Sequence, residues 1–212
     1  KSLIKTGDLF GADMCYKKIP DELLPYDYPA YDRNPTDFYA VVTNCRTGKA
    51  EYKKIGDMRK GIYYVRASSS LPLLSRTLWI QGQPYLDGGI SDSIPIKKSQ
   101  ELGNQKNVVV LTRDRNYRKG PNQVMPLIRL RYQREFPRLV EKMRDRHLYY
   151  NETLDYLWEQ EKKGTVLVIC PDKPVEIGRI EKDKEKLEKL YQEGYHTAEQ
   201  QYEKLKEFLN LS

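Results

Sequence analysis

The apolar residues of this chain fall into three patterns, and each pattern predicts a different element. Short runs of branched and aromatic residues, Asp37-Phe-Tyr-Ala-Val-Val-Thr-Asn44 and then Lys49 to Ile55, read as two strands. The turn Cys45-Arg-Thr-Gly48 joins them into a hairpin. Thr77-Leu-Trp-Ile80 and Gln83-Pro-Tyr-Leu86, separated by Gln81-Gly82, form a second hairpin that delivers the chain to Asp87-Gly88-Gly89. Spacings of three and four residues predict helices, first over Asp57 to Ser68 with Ile62, Val65 and Arg66. A short helix follows over Ile94 to Leu102, stopped by Gly103. After Gly120, Phe136, Leu139, Val140, Met143, His147 and Leu148 share one helical face, which Leu154, Leu157 and Trp158 continue. From Glu181 onward, Leu187, Leu190, Tyr191, Ala198, Tyr202, Leu205 and Phe208 make a further stripe. The third pattern is unbroken. Asn107-Val-Val-Val-Leu-Thr112 predicts a strand buried on both faces, and Thr165-Val-Leu-Val-Ile-Cys170 another buried strand. Ile19 to Tyr31 sets three prolines among aromatics and reads as an ordered but irregular connection.

Mixed strands and helices with two buried runs predict an α/β fold with a mainly helical C-terminal portion. The expected division is a first part, 1–104, carrying Asp-Gly-Gly, and an α/β to helical extension, 105–212, packed on it. No stretch approaches the ~18 apolar residues needed to cross a bilayer, and the N-terminus does not resemble a signal peptide. Cys15, Cys45 and Cys170 are widely spaced, with only two histidines to join them. That pattern predicts free thiols in a reducing cytoplasm, without a disulfide framework or a zinc site. Charge is concentrated. Between Arg113 and Arg146 stand 11 Lys or Arg against 4 Asp or Glu; the other 26 of each sign cancel, so this segment supplies the whole net charge of +7.

Asp87-Gly88-Gly89 is the most informative tripeptide. Two residues without a Cβ leave space around the acid and permit close backbone approach, although a plain Asp-Gly turn has the same letters. Ala67-Ser-Ser-Ser-Leu-Pro72 holds three hydroxyls at a predicted helix end. Such hydroxyls usually bind backbone groups, and one becomes a nucleophile only beside a base. Gly-x-Ser-x-Gly is absent: only Gly7 and Gly11 stand four apart, with Leu9 between them. His147 and His196 sit in amphipathic stretches, which leaves a histidine-based triad without support. The basic segment, accompanied by Tyr117, Tyr132 and Phe136, suits a solvated helical face, an anionic lipid surface or nucleic acid.

Taken in order, Ala67-Ser-Ser-Ser-Leu-Pro-Leu-Leu74 and Tyr85-Leu-Asp-Gly-Gly-Ile-Ser-Asp-Ser-Ile-Pro95 resemble the second catalytic block of bacterial patatin-like phospholipases. The resemblance extends upstream through Lys5–Gly11, Leu24–Tyr28 and Phe38–Asn44. Downstream it takes in Val110–Arg113, Tyr117–Lys119, Val175–Arg179 and Leu190–Tyr195. It implies an α/β hydrolase-type sheet layered with helices, and a serine–aspartate dyad that cleaves lipid esters without metal or organic cofactor. Asp87 would be the catalytic aspartate, and Gly88 and Gly89 its motif glycines. The serine elbow and the glycine-rich oxyanion loop should precede residue 1. The resemblance therefore implies an aspartate-bearing fragment, inactive alone and unstable or self-associating unless the missing segment fills the gap. It further implies a cytoplasmic protein of lipid degradation, with a lipid or ester substrate and peripheral membrane contact through the basic segment. Nucleic acid is not expected as a partner on that reading. The alternative is a non-enzymatic binding module acting through 113–146, on anionic lipid or nucleic acid.

Overall fold

The computed structural model describes Asp8, residues 11–178 and residues 180–211. The fold is mixed α/β and divides into two compact units: Lys1–Ser93 with Gly120–Leu148, and Ile94–Lys119 with Tyr149–Ser212. This partition differs from a single division at residue 104, because the chain leaves the first unit, returns to it and leaves again.

In the first unit, β1 (Tyr39–Asn44), β2 (Ala50–Lys54), β3 (Leu78–Ile80) and β4 (Gln83–Asp87) form an antiparallel sheet of order β2-β1-β4-β3. Both expected hairpins are present. The β3–β4 turn places Gln81 at φ 50 and Gly82 at φ 72, the paired left-handed geometry that matches strand twist. In the β1–β2 turn, Asn44 Oδ1 accepts the amides of Arg46 and Thr47 at 3.0 and 3.3 Å. Helix α3 (Met58–Ser68) begins where Asp57 caps the amide of Arg59 at 2.9 Å.

Strand alternation divides the core. Tyr85 joins Val42 and Ala67 beneath α3, whereas its neighbour Leu86 joins Cys45 and Ile90 in a separate cluster. That second cluster is completed by Ile128 and Tyr132 of α5 (Met125–Tyr132), by Phe136, and by Leu139, Val140 and Met143 of α6 (Pro137–Lys162). The expected apolar face of α6 is buried at Leu139, Val140 and Met143 and again at Leu154 and Leu157, but Leu148 between them is exposed.

Ile19 to Tyr31 is more regular than its prolines suggest. Met14–Leu23 forms a π-helix, α1, in which the Leu24 amide reaches back five residues to Ile19 O at 2.9 Å. Pro20 lies inside this wide helix, where an α-helical ladder would lose a bond. Tyr28–Arg33 forms α2, with Pro29 in the first turn and Asp27 accepting from the Ala30 amide. A proline in that position favours the first turn instead of breaking it.

In the second unit, β5 (Asn107–Val110) and β6 (Val166–Ile169) pair in parallel. Val166 and Val168 pack with Leu111, with Leu154 and Leu157 of α6, and with Ile94 and Ile96 at the start of α4 (Ile96–Glu101). β6 is buried as expected. β5 is not buried on both faces: Val108 and Val110, on one face, are exposed, whereas Val109 on the other packs against the second unit's core. Helices α7 (Lys184–Gln200) and α8 (Tyr202–Leu209) form with the expected stripe, yet neither contains a buried residue.

Candidate functional site

Asp87 ends β4, with its Cα opposite Val42 on the neighbouring strand β1. Its backbone is fixed on both sides. The amide donates to Ser70 O at 2.9 Å, and the carbonyl accepts the Thr43 hydroxyl at 2.7 Å. The side chain, half-buried, accepts the Gly89 amide on Oδ1 at 2.7 Å. Gly88–Ile90 then makes one 3-10 turn.

The two glycines do different things. A Cβ on Gly88 would stand 2.1 Å from Val41 O, so the turn lies directly against β1 and admits no side chain. A Cβ on Gly89 would stand 3.0 Å from Asp87 Oδ1 and 3.3 Å from Arg146 Nη2. Glycine there keeps the space between carboxylate and guanidinium open.

Arg146, on α6, is the residue that sequence reasoning missed. Its Nε donates to Gly89 O at 2.6 Å, and the same carbonyl accepts the Ser93 hydroxyl at 2.7 Å. The turn is thus clamped from β1 by Thr43, which also bonds the Ser91 hydroxyl at 2.7 Å, and from α6 by Arg146. A carboxylate so fixed, with a cation close by, can accept a proton from a hydroxyl brought against it. Beside the turn, Glu51 accepts from Tyr85 Oη at 2.8 Å, from Asn44 at 2.8 Å and from Lys53 at 2.6 Å. Burial pushes the Glu51 carboxyl up, but hydrogen bonds from Lys53, Tyr85 and Asn44 outweigh it and hold the group below its usual range.

Ser70 is buried and its hydroxyl donates to Arg66 O at 2.8 Å, while Ser69 Oγ lies 3.2 Å from Val65 O and 2.5 Å from Tyr16 Oη. These are helix-end hydroxyls, although the Ser70 carbonyl does tie the end of α3 to Asp87. His147 is half-buried on α6, and His196 is exposed on α7 with Nε2 2.9 Å from the Gln200 amide nitrogen. The basic segment is shared between the units, 113–119 in one and 120–146 in the other. Tyr132 and Phe136 are buried in the first unit's core, and Tyr117 packs edge-on against Tyr150. Of the Lys5–Gly11 portion of the resemblance, Asp8 and Gly11 are described, and Arg179 lies outside the described residues. Asp8 is buried, paired with Arg66 at 3.0 Å and capping the Arg76 amide at 3.1 Å. Among the described residues no three His, Cys, Asp or Glu side chains converge as metal ligands. Among them, too, no helix is long and apolar enough to cross a membrane.

Residues 136–210 match the model of a domain of unknown function, DUF6363. An uncharacterized protein of Escherichia coli (strain K12), YjjU, is 29% identical over 112 residues, covering 52% of this chain and 31% of that protein. The chain is thus matched to less than a third of the relative's length. The domain match includes Arg146 and ends at Asn210, the residue just after α8, but it does not reach Asp87.

Proposed function

We propose that the chain carries the aspartate of a patatin-like serine–aspartate lipid acyl hydrolase, with Asp87 as the acid–base residue. One observation carries this reading: the Asp-Gly-Gly turn is pressed on β1 where Gly88 tolerates no Cβ, while a Cβ on Gly89 would stand 3.0 Å from the Asp87 carboxylate and 3.3 Å from Arg146. An ordinary surface Asp-Gly turn needs neither feature.

In the proposed reaction the Asp87 carboxylate takes the proton of a serine hydroxyl as its oxygen attacks the ester carbonyl. The proton then passes to the departing alcohol, leaving an acyl-serine. Asp87 next takes a proton from water as its oxygen attacks the acyl carbon, and returns that proton to the departing serine oxygen, releasing the acid and restoring both residues. The reading calls for no metal or organic cofactor. These 212 residues contain no Gly-x-Ser-x-Gly elbow, so the reading places the serine on a segment outside them.

The test uses the protein that holds both segments. Asp87→Asn is expected to lower ester turnover by about 100- to 10,000-fold while leaving vesicle binding intact; retained turnover refutes the assignment. A fluorophosphonate probe is expected to leave residues 1–212 unlabelled. Labelling within Ser68–Ser70 would overturn the division of roles.

A binding module acting through 113–146 is the second reading, favoured by the exposure of Arg129, Arg131 and Arg134. Burial of Tyr132 and Phe136 removes two aromatics from any base-stacking role and turns this reading toward lipid.

A further inference from the structure

We infer that α5 is a docking element for an anionic lipid surface, with Leu127 and Leu130 entering the headgroup–acyl boundary and Arg129, Arg131 and Arg134 meeting lipid phosphates.

The two sides of this short helix differ in character. Ile128 and Tyr132 are almost wholly buried and belong to the first unit's core. At 3.6 residues per turn, Leu130 lies opposite that buried face with Leu127 about 60° from Leu130, and Arg129 and Arg131 flank the buried face on its two sides. Arg134 follows just past the last turn, where the Gln133 amide still bonds Arg129 O at 2.9 Å. Leu130 is 86% exposed, Leu127 56% and Val124, at the helix start, 47%.

A single exposed leucine needs no explanation. This face is different because its apolar residues are interleaved with cations and with no acid: Met125–Tyr132 contains no Asp or Glu. Among the described residues, Arg129, Arg131 and Arg134 form no ion pair, whereas Arg138 and Arg144 on α6 pair with Glu141 and Asp145. A solvated helix normally alternates the two signs. Cations flanking an outward leucine pair are the arrangement that combines apolar insertion with attraction to a negatively charged interface, two signals that anchor together better than either alone. Charge complementarity therefore selects anionic lipid over a neutral bilayer or an acidic-residue-free partner surface. The inference concerns binding alone and does not rest on the ester chemistry.

The experiment is co-sedimentation of the full chain with phosphatidylcholine vesicles, with and without about 30% phosphatidylglycerol. The wild-type chain is expected to bind the anionic vesicles and not the neutral ones. Binding should fall in salt of about 1 M, where the Debye length is ~3 Å. Leu127→Ser with Leu130→Ser, at exposed positions that leave the core untouched, should weaken binding at fixed salt by roughly tenfold or more. Arg129→Gln, Arg131→Gln and Arg134→Gln together should weaken it at least as much and remove the salt dependence. Circular dichroism melts of both variants matching wild type exclude misfolding as the cause. Equal binding by wild type and variants, or no binding by wild type, overturns the inference. So does a concentration-dependent dimer that the leucine variant abolishes without any vesicle binding, since a second copy would then occupy the face. Failure of this experiment leaves the Asp87 proposal untouched, and failure of Asp87→Asn leaves this one untouched.

Discussion

At the scale of single residues, Gly88 and Gly89 look interchangeable in the sequence and are not so in the fold. Gly88→Ala forces a methyl to within 2.1 Å of a backbone oxygen that belongs to a central strand and cannot step aside. Overpacking of that kind costs about 2–3 kcal/mol, so the denaturant midpoint of Gly88→Ala should fall well below wild type. Gly89→Ala meets a side-chain oxygen at 3.0 Å and the end of a flexible arginine at 3.3 Å; its midpoint should stay close to wild type. A normal midpoint for Gly88→Ala would show that the turn does not press on β1. The same scale marks the limit of the sequence. Asp87 is visible because its two glycines follow it directly. Arg146 is invisible because it bonds Gly89 across 57 residues, from inside a basic run in which nothing in the sequence marks one arginine out from the others. Cys45 shows the converse: burial pushes its thiol up to about 12, so it behaves as a small apolar residue, and only tertiary packing separates it from exposed Cys15.

At the scale of elements, periodicity locates both hairpins, α3, α4, α6 and β6, because each carries its own boundary signal in a cap, a turn glycine or a proline. It misjudges β5, since an unbroken valine run states that a strand is apolar and not that anything covers it. The β5–β6 pair is held at its edge by Arg115 and Glu161, bonded through both guanidinium nitrogens at 2.7 Å. Glu161 also accepts the Val168 amide of β6 at 3.3 Å. The hydrogen bond from Arg115 is the main cause that holds the Glu161 carboxyl below its ordinary range, against burial, which raises it. The folded protein therefore holds this proton less tightly than the unfolded chain. The contribution is complete above the ordinary value of 4.5 and is lost as pH falls through the lowered folded value. Glu161→Gln should cost about 1 kcal/mol at neutral pH, water screening the half-exposed Arg115. It should also flatten the acid limb of stability below about pH 4.5. Denaturation midpoints collected from pH 7 to pH 3 decide this, and an unchanged acid limb would show that the pair is not coupled to folding.

At the scale of the whole molecule, the sequence reads α6 as one apolar face from Phe136 to Trp158, and this is where the domain organisation escapes it. Leu139, Val140 and Met143 belong to one core, Leu154 and Leu157 to another, and Leu148 between them is exposed. A helical stripe records that residues are buried, not which cluster buries them, so one continuous pattern conceals two cores. The consequence is testable because Leu157 is fully buried against β6 and distant in sequence from the Asp87 turn. Leu157→Ala should cost about 2–5 kcal/mol. If the cores are energetically separate, the loss should fall on one unit: amide exchange should quicken across Asn107–Val110 and Val166–Ile169. The Asp87 amide, held by Ser70 O at 2.9 Å, and the Gly89 amide, held by Asp87, should keep wild-type protection. Equal acceleration at all these amides would instead mean that α6 transmits the loss along its length and that the two units unfold as one.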